Sequence, residues 1–208
     1  MTHADRTNHY ISTLSQMVLR ISSGRPRLPR KYWGKKIYAS PGSGKTFVAN
    51  KYSDVVDGDE LLVQAIKRWQ SITSSTWNMN YDDPREYICQ YFQHISFNRG
   101  YMNNIYKLCR QYMDKAANID DVVLFGTKDM IWFADLIFVE NNTDIVRPKF
   151  NRYREEQAVD KAENRGTDVV YIHEYLEPAL QRYAKGSSNY CMASSSCGSS
   201  AWSDDSYY

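Results

Sequence analysis

The segment from Ala39 to Thr46 limits what this chain can fold into more than any other part of its 208 residues. It reads Ala-Ser-Pro-Gly-Ser-Gly-Lys-Thr and fits the Walker A pattern G-x-x-x-x-G-K-[ST], except that Ala39 stands where the pattern has its first glycine. The β-rich run Lys36–Ala39 leads into the loop, and residues 47–51 continue it as a helical stretch. Strand, glycine-rich loop and helix in this order are the context that distinguishes a phosphate-binding loop from a chance glycine-rich turn. The sequence therefore predicts a nucleoside triphosphate site.

Each residue type in this loop has a chemical reason. Gly42 and Gly44 tolerate positive φ and have no Cβ in the way, so consecutive backbone N–H groups can point into one concavity. Lys45 would place its charge on the β- and γ-phosphates, and the Thr46 hydroxyl would ligate Mg²⁺. The predicted cofactors are ATP and Mg²⁺. The predicted nucleotide-binding residues are Pro41, Gly42, Ser43, Gly44, Lys45 and Thr46.

Two carboxylates follow the next predicted strand. The run Asp54–Asp57 ends in an acid, and Asp59 comes two residues later at the start of a helical stretch. The carboxyl ends of parallel strands and the amino ends of helices meet at the ligand crevice, so both acids are predicted near the phosphates. Asp57 is the second predicted Mg²⁺ ligand, and either acid is a candidate to accept a proton from an attacking hydroxyl. The alternative for Asp59 is an N-cap of the helix Glu60–Gln70.

Basic residues cluster in the polar region before the last predicted strand. A guanidinium delivered by a closing segment can stabilise the charge of a transferring phosphoryl group, so this cluster is a candidate catalytic element, with Arg152 and Arg154 as its predicted catalytic members. The alternative is a charged helix surface that pairs Arg152 with Glu156 and Arg154 with nearby acids. The cluster consists of Arg147, Arg152, Arg154 and Arg165.

Short β-rich runs alternate with helical stretches between residues 35 and 185. This alternation predicts βαβ units, and hence an α/β fold whose parallel sheet is covered on both faces. The predicted strands are Lys36–Ala39, Asp54–Asp57, Val122–Phe125, Leu136–Glu140 and Asp168–Ile172. The predicted helices are Lys45–Tyr52, Asp59–Gln70, Asp83–Met113, Lys128–Phe133, Glu155–Arg165 and His173–Lys185.

The two ends of the chain differ in composition from this core. Apolar residues at helical spacing over Tyr10–Ile21 predict that residues 1–34 form an N-terminal helix and a basic, proline-broken linker. The basic stretch Arg25–Lys36 favours a solvated linker, with nucleic-acid contact as the alternative. Residues 186–208 hold nine serines and almost no aliphatic side chains, which predicts a disordered tail.

Composition narrows the class of protein. A formal net charge of +2 gives no global basic field, and the apolar run Met130–Val139 is broken by Asp135 and too short to cross a bilayer. Residues 1–6 lack the apolar core of a secretory signal, and the cysteines form no CxxC pair. We therefore expect a reduced, cytoplasmic setting with no membrane contact. Cys89 and Cys109 are predicted to be buried small hydrophobes.

With the phosphate loop, the Asp57-x-Asp59 pair and the arginine cluster in this order, the chain resembles the P-loop kinases of the nucleoside and nucleotide monophosphate kinase group, with shikimate-type kinases as neighbours. The resemblance implies a three-layer P-loop NTPase fold with a five-stranded parallel sheet of order 2-3-1-4-5. It implies a kinase-like domain over 35–185, with a helical acceptor-binding insert over 58–119 and a lid region over 141–167. The segment Val122–Lys128 lacks the Asp-Gly-aromatic-Pro-Arg run of adenylate kinases, so the acceptor stays open.

The predicted insert is rich in aromatic and basic side chains. Arg85, Arg99 and Arg110 could clamp a base and its phosphate together with aromatic faces. The favoured interpretation is that Tyr87, Tyr91 and His94, at helical spacing, line a helical core. Asp82-Asp83-Pro84 predicts a helix start, with Asp83 as the cap.

Three functions follow from these features. The first is a kinase that moves the γ-phosphoryl group of ATP·Mg to a small acceptor, most plausibly a nucleoside or nucleotide. The second is an NTPase or NTP-binding component of a replication, packaging or RNA-processing assembly, in which Glu140 would orient water and Arg25–Lys36 would touch nucleic acid. The third is a nucleotide-binding module without turnover. The sequence does not decide the oligomeric state.

Overall fold

The computed structural model describes residues 24–77, 79, 82–140 and 149–186, with side chains described from Tyr153 onward in the last range. Five parallel strands form one sheet in the order β2-β3-β1-β4-β5. The α/β class, the parallel sheet and its predicted strand order are thereby confirmed. The strands are β1 Lys36–Ala39, β2 Val55–Asp57, β3 Val122–Phe125, β4 Leu136–Glu140 and β5 Asp168–Ile172.

Helices connect every pair of strands but one, and a 3-10 helix makes that connection between β3 and β4. Three of the helices lie between β2 and β3, within residues 58–119. The helices are α1 Lys45–Lys51, α2 Gly58–Thr73, α3 Pro84–His94, α4 Arg99–Ala117, α5 Lys149–Glu163 and α6 Leu176–Ala184. The 3-10 helices are Arg30–Tyr32 and Lys128–Phe133, the second of which the sequence predicted without its 3-10 geometry.

The predicted single helix Asp83–Met113 is wrong, because the chain breaks between α3 and α4. Ser96 and Phe97 both take φ of 51°, a left-handed conformation that ends α3. Asn98 then caps α4, where its side chain accepts a hydrogen bond from the backbone N–H of Tyr101 at 3.2 Å. The predicted cap Asp83 is confirmed at the start of α3, where it accepts from the N–H of Arg85 at 2.9 Å. The break turns α4 back across α2 and so shapes one wall of the site described below.

Alternate strand residues face two separate cores, as expected for a sheet covered on both faces. Tyr38, Val123 and Ile137 pack with residues of α2, α3, α4 and α5 on one face. Ile37, Leu124 and Phe138 pack with α1, α6 and the segment around Tyr32 on the other. The molecule therefore has three layers, and the carboxyl ends of the strands are left open between them.

The basic segment before β1 is not the solvated linker that its composition favours. Leu28 is buried, and its N–H donates to both carboxylate oxygens of Asp54 at 3.0 and 3.1 Å. Tyr32 is fully buried and donates its hydroxyl hydrogen bond to the carbonyl of Leu180 at 2.6 Å. Proline breaks and arginines dominate the composition here, but two apolar anchors decide the packing. The segment from about residue 26 is therefore part of the folded core.

Three predicted regions fall wholly or partly outside the described residues. They are the N-terminal helix Tyr10–Ile21, residues 141–148 of the predicted lid region over 141–167 and, apart from Gly186, the serine-rich tail over 186–208. Within the described ranges, no helix has the length and apolar character needed to span a membrane.

Candidate active site

The predicted phosphate loop joins β1 to α1 at the carboxyl end of the central strand. Gly42 and Gly44 have φ of 88° and 94°, values that residues with a Cβ rarely adopt. The loop is closed by a hydrogen bond from the N–H of Ser43 to the carbonyl of Ser40 at 3.2 Å. Ala39 is fully buried as the last residue of β1, so the missing first glycine of the pattern is a strand position. The two glycines whose conformation the loop needs are both present.

Lys45 lies inside this loop. Its Nζ donates to the carbonyls of Ala39 at 3.0 Å and Ser40 at 3.1 Å, and only 3% of the residue is exposed. Burial lowers the pKa of Lys45 to about 8, with the charges of Asp59, Asp57 and Glu155 opposing this and Arg85 adding to it. The surrounding protein therefore does not fully offset the cost of burying this charge. An anion bound in the loop would stabilise the charged form and raise the pKa of Lys45 again.

Gly126, directly after β3, provides the space that Lys45 occupies. A Cβ at this position would stand 2.6 Å from the Lys45 Nζ and 2.8 Å from its Cε. Sequence reasoning missed this residue. The available signal was a glycine after the strand next to β1, at the edge where strand ends converge.

Thr46 and Ser43 contribute two hydroxyls with different surroundings. Thr46 is exposed, as a hydroxyl that meets a ligand-bound metal has to be. The Ser43 Oγ is buried and has no hydrogen-bond partner among the described residues, which marks the loop as incompletely satisfied.

The sequence left two roles open for Asp59, a place at the site or the N-cap of the following helix. The structure gives the capping role to Asp57. Asp57 is the N-cap of α2, because its Oδ1 accepts from the N–H of Asp59 at 2.9 Å. The alternative in which Asp59 caps the helix is therefore wrong. Asp59 instead accepts from Nε of Arg85 at 3.2 Å. Burial raises the pKa of Asp57, and its hydrogen bond from the Asp59 backbone opposes that rise.

The described residues could supply only a few of the ligands of a metal ion, so the nucleotide and water would have to supply the others. In the part of the chain that the structure describes, no group of three or more His, Cys, Asp or Glu side chains is placed to hold a metal ion. Mg²⁺ is commonly held by one or two carboxylates together with substrate phosphates and water, so it needs no such cluster. Neither Thr46 nor Asp57 lines the cleft described below, so their role as Mg²⁺ ligands stays a prediction.

A cleft of about 1160 Å³ opens beside Lys45. It brings together four residues that the sequence predicted for the site: Pro41, Lys45, Asp59 and Arg154. Its walls come from the loop, the starts of α2 and α4, helix α3, the segment after β3, and α5. Five basic and two acidic side chains line it, namely Lys45, Arg85, Arg99, Lys107, Arg154, Asp59 and Asp129. The cleft is therefore electropositive and suits an anionic ligand.

The predicted arginines lie in different places. Arg154 Nη2 donates to Oδ1 of Asp129 at 3.0 Å, across the cleft from α5 to the 3-10 helix. Arg165 lies outside the cleft. Arg152 belongs to α5, but its side chain is outside the described part of the structure, as is the whole of Arg147. The predicted surface role of Arg154, pairing with an acid, is present, and it places the guanidinium at the cleft.

Glu155 is a site-forming residue that sequence reasoning missed. It is 4% exposed, and its Oε1 accepts from the Tyr38 hydroxyl at 2.7 Å and the Ser40 Oγ at 2.6 Å. Ser40 Oγ in turn accepts from the backbone N–H of Glu140 at 3.1 Å. This buried network connects α5 and β4 to the glycine-containing loop. The available signal was that Glu155 precedes buried Val159 by one helical turn and so shares its inward face.

The aromatic insert is mostly core, as predicted. Trp77 packs edge-on against buried Tyr87 and Tyr91, with ring centroids 5.2 and 5.1 Å away. The prediction that His94 lines this core is wrong, because His94 is exposed and stacks on Trp77 from the outside.

Two smaller predictions about the insert have mixed outcomes. Cys109 is buried as predicted, whereas the prediction for Cys89 is wrong, because it is exposed and lines the cleft. Arg85 and Arg99 line the cleft. Arg110 does not line it, and its guanidinium lies 5.0 Å from the ring centre of Phe133, which does. The helical spacing predicts which residues of α3 face the core, but it does not predict which side of the helix borders the cleft.

Comparison of the chain with protein-family models, with curated proteins and with solved structures found no match. The class of protein has to be inferred from the fold and the cleft themselves. What they offer is a parallel sheet of order 2-3-1-4-5, a glycine-containing loop after its central strand, and a buried lysine at the head of an electropositive cleft.

Proposed function

We propose that the protein is a P-loop phosphotransferase that moves the γ-phosphoryl group of ATP·Mg to a small acceptor, a nucleoside or nucleotide. The observation that carries this proposal is the buried, poorly satisfied ammonium of Lys45 inside a loop whose glycines take left-handed φ, at the head of a cleft with four further basic side chains. A lone lysine or a lone glycine turn would not support it. Their combination at the carboxyl end of the central strand does.

The donor would bind at the loop. Backbone N–H groups around Gly42–Lys45 and the Lys45 ammonium would contact the β- and γ-phosphates. Lys45 would exchange its two backbone carbonyl partners for phosphate oxygens, which compensate the charge better. Mg²⁺, held by Thr46 and Asp57, would offset phosphate charge when bound.

The acceptor would bind in the cleft between α3, α4 and α5. About 1160 Å³ exceeds the roughly 300–1000 Å³ of a typical small-molecule site, so acceptor and phosphates fit together. The acceptor oxygen would form a bond to the γ-phosphorus while the bond from that phosphorus to the β–γ bridging oxygen breaks. Asp59 lies at the cleft and would accept the hydroxyl proton, and Arg154 would stabilise the equatorial oxygens of the transferring group.

One observation favours the NTPase as a second candidate. Glu140 ends β4, the strand beside β1, and its backbone N–H donates a hydrogen bond to the Oγ of the loop residue Ser40. A carboxylate at this position could orient water instead of an acceptor hydroxyl. The nucleic-acid role predicted for Arg25–Lys36 remains a separate prediction, which the strand-binding experiment below tests.

An acceptor panel tests the proposal. Purified full-length chain is incubated with ATP·Mg and nucleosides, nucleoside monophosphates or 5′-hydroxyl RNA, and ADP release is measured with and without each acceptor. A kinase gives ADP that depends on one class of acceptor, together with a phosphorylated product. Equal ADP release without acceptor supports the NTPase instead, and nucleotide binding without any ADP supports a binding module.

Nucleotide affinity should fall as pH rises above about 8. Below this pH the Lys45 ammonium is charged and attracts phosphate, whereas above it free Lys45 loses its proton and binding has to take one up. Affinity for ADP·Mg should therefore decrease by up to about tenfold per pH unit until the pKa of the bound state is reached. Isothermal titration calorimetry in buffers of different ionisation enthalpy would measure both affinity and proton uptake.

The matched control is Lys45→Arg. A guanidinium stays charged over this range, so its affinity, whatever its absolute value, should be flat with pH. The groups that face Lys45 and could also contribute are Asp57, Asp59, Arg85 and Glu155. A wild-type affinity that does not change between about pH 7 and about pH 9.5 would show that free Lys45 keeps its proton over this range, and would contradict the lowered pKa on which this prediction depends.

A further inference from the structure

A second groove adjoins the cleft and continues it along α5. Its volume is about 460 Å³, and it shares Asp129, Trp132 and Arg154 with the cleft. The two spaces therefore form one path, which begins at Lys45 and passes between the 3-10 helix Lys128–Phe133 and α5. Nothing in the proposed transfer to a small acceptor requires the second groove.

The charges of α5 are segregated around its axis. Arg154 and Lys161 lie at helical spacing on its groove side, Arg165 lines the groove just beyond the end of α5, and Lys128 lines it from the 3-10 helix. The acids of the helix do not line the groove. Glu155 accepts from Tyr38 of β1, and the charges of Glu163, Asp160 and Glu156 add to the effect of burial in raising the pKa of Tyr171 on β5. Asp129 is the one acid among the groove-lining residues that the structure describes. The basic side of this helix therefore forms a positively charged wall of the groove, which can bind a polyanion.

An exposed aromatic ring stands where the groove and the cleft meet. Trp132 is 56% exposed, although its Nε1 donates to the carbonyl of Asp129 at 2.9 Å and its ring lies 4.0 Å from that of Phe133. The hydrogen bond and the ring contact fix the indole while more than half of the residue faces solvent. A fixed, exposed indole next to basic side chains is a platform on which a nucleobase can stack.

We propose that the groove and the adjoining part of the cleft bind single-stranded nucleic acid, with the sugar–phosphate backbone along Arg154, Lys161 and Arg165 and a base on Trp132. Lys161 lies seven residues beyond Arg154 on α5, about 10 Å at 1.5 Å per residue, so the basic side chains extend along the groove as a row that suits successive phosphates of a strand. An acidic peptide would use the basic wall but not the indole, which is why a nucleic acid fits better. This binding does not require the proposed phosphoryl transfer to be correct.

The test is fluorescence anisotropy of labelled single strands of about 12 nucleotides, as RNA and as DNA, with full-length protein and no ATP. Lys161→Ala/Arg165→Ala should weaken binding at least about tenfold and make the slope of log K against log[salt] less negative by about 1.4, since two phosphate contacts are lost. Trp132→Ala should weaken it about tenfold, and Trp132→Phe should retain most of the affinity, because a smaller ring still stacks. The RNA and DNA arms show whether the sugar is recognised.

The matched control is Arg30→Ala/Lys35→Ala. It also removes two positive charges, but from the basic segment that packs through Tyr32 on the other face of the sheet. It should leave strand affinity and salt slope unchanged. Circular dichroism establishes that each variant is folded. Strand binding is measured without ATP and the transfer assay reads ADP, so the two proposals can fail separately.

Three results would overturn the inference. One is the absence of strand binding at about 100 µM protein, the weak end of non-specific nucleic-acid affinity. Another is a loss in the Arg30→Ala/Lys35→Ala control that equals the loss in the groove variant, which would place the strand on Arg25–Lys36. The third is displacement of the strand by polyglutamate as efficiently as by unlabelled strand, which would identify a site for acidic protein segments.

Discussion

Replacing Lys45 with methionine should abolish acceptor-dependent ADP formation while making the nucleotide-free protein more stable at pH 7. Methionine fills nearly the same volume without the charge, so the loop keeps its packing and loses its cation. Phosphoryl transfer relies on positioned charge, and loss of a cation directed at the transferring group costs about 10³-fold or more in rate. Activity and stability are therefore expected to move in opposite directions.

The stability gain follows from the direction of the pKa shift. The pKa of Lys45 is lowered from 10.5 to about 8, so at pH 7 the folded protein holds a charged group that the unfolded chain would hold at less cost. This difference corresponds to about 3 kcal/mol at most, and two carbonyls lose their lysine donor in the variant, so a net gain of about 1–2 kcal/mol is expected. Wild-type stability should rise between about pH 8 and 10.5, as the unfolded chain binds the proton that the folded protein has lost, and the advantage of the variant should disappear there.

Urea unfolding at pH 7 and above pH 10, together with the ADP assay, measures both effects. Lys51→Met is the matched control, since Lys51 lies in the same helix and is exposed with Glu177 as its partner. It should leave ADP formation unchanged and should not gain stability. A Lys45→Met protein that keeps its ADP formation, or that loses stability at pH 7, would contradict the role given to this lysine.

The strands could be read from the sequence because each is a short apolar run with polar residues at both ends. Val122–Phe125, Leu136–Glu140 and Asp168–Ile172 were predicted to the residue. The break between α3 and α4 could not be predicted. Ser96 and Phe97 take a left-handed φ, and neither is a glycine, the residue type that usually marks this conformation. Both helices pack against α2, and this tertiary packing, not local propensity, fixes the turn between them.

The site shows the same division between local and tertiary information. The loop is a contiguous motif, so its glycines and Lys45 were predictable, as was the nearness of Asp59. Gly126 and Glu155 act across strand neighbours and through burial, which no local pattern encodes. Leu28 shows the limit of composition, because one apolar side chain and the buried Asp54 carboxylate outweigh the surrounding arginines and prolines.

Replacing Glu155 with alanine should destabilise the protein by about 3 kcal/mol, a change of over a hundredfold in the unfolding equilibrium. Its Oε1 is the acceptor for two buried hydroxyls, those of Tyr38 and Ser40, and hydrogen bonds to a charged acceptor contribute about 1.5–3 kcal/mol each. Both hydroxyls would be left in a buried site without this acceptor. Because Ser40 belongs to the phosphate loop, the same change should loosen the loop and weaken ADP·Mg binding.

Glu155→Gln separates the hydrogen bonds from the charge. Glutamine keeps an Oε1 that both hydroxyls can donate to, so we expect it to cost less than half of what alanine costs. It removes a negative charge that raises the pKa of Lys45, so the pH at which nucleotide affinity begins to fall should move below 8 in Glu155→Gln. Urea unfolding gives the first comparison and calorimetric titration of ADP·Mg against pH gives the second. If alanine and glutamine cost the same and the pH profile stays in place, Glu155 is neither the anchor of the phosphate loop nor a charge that Lys45 senses.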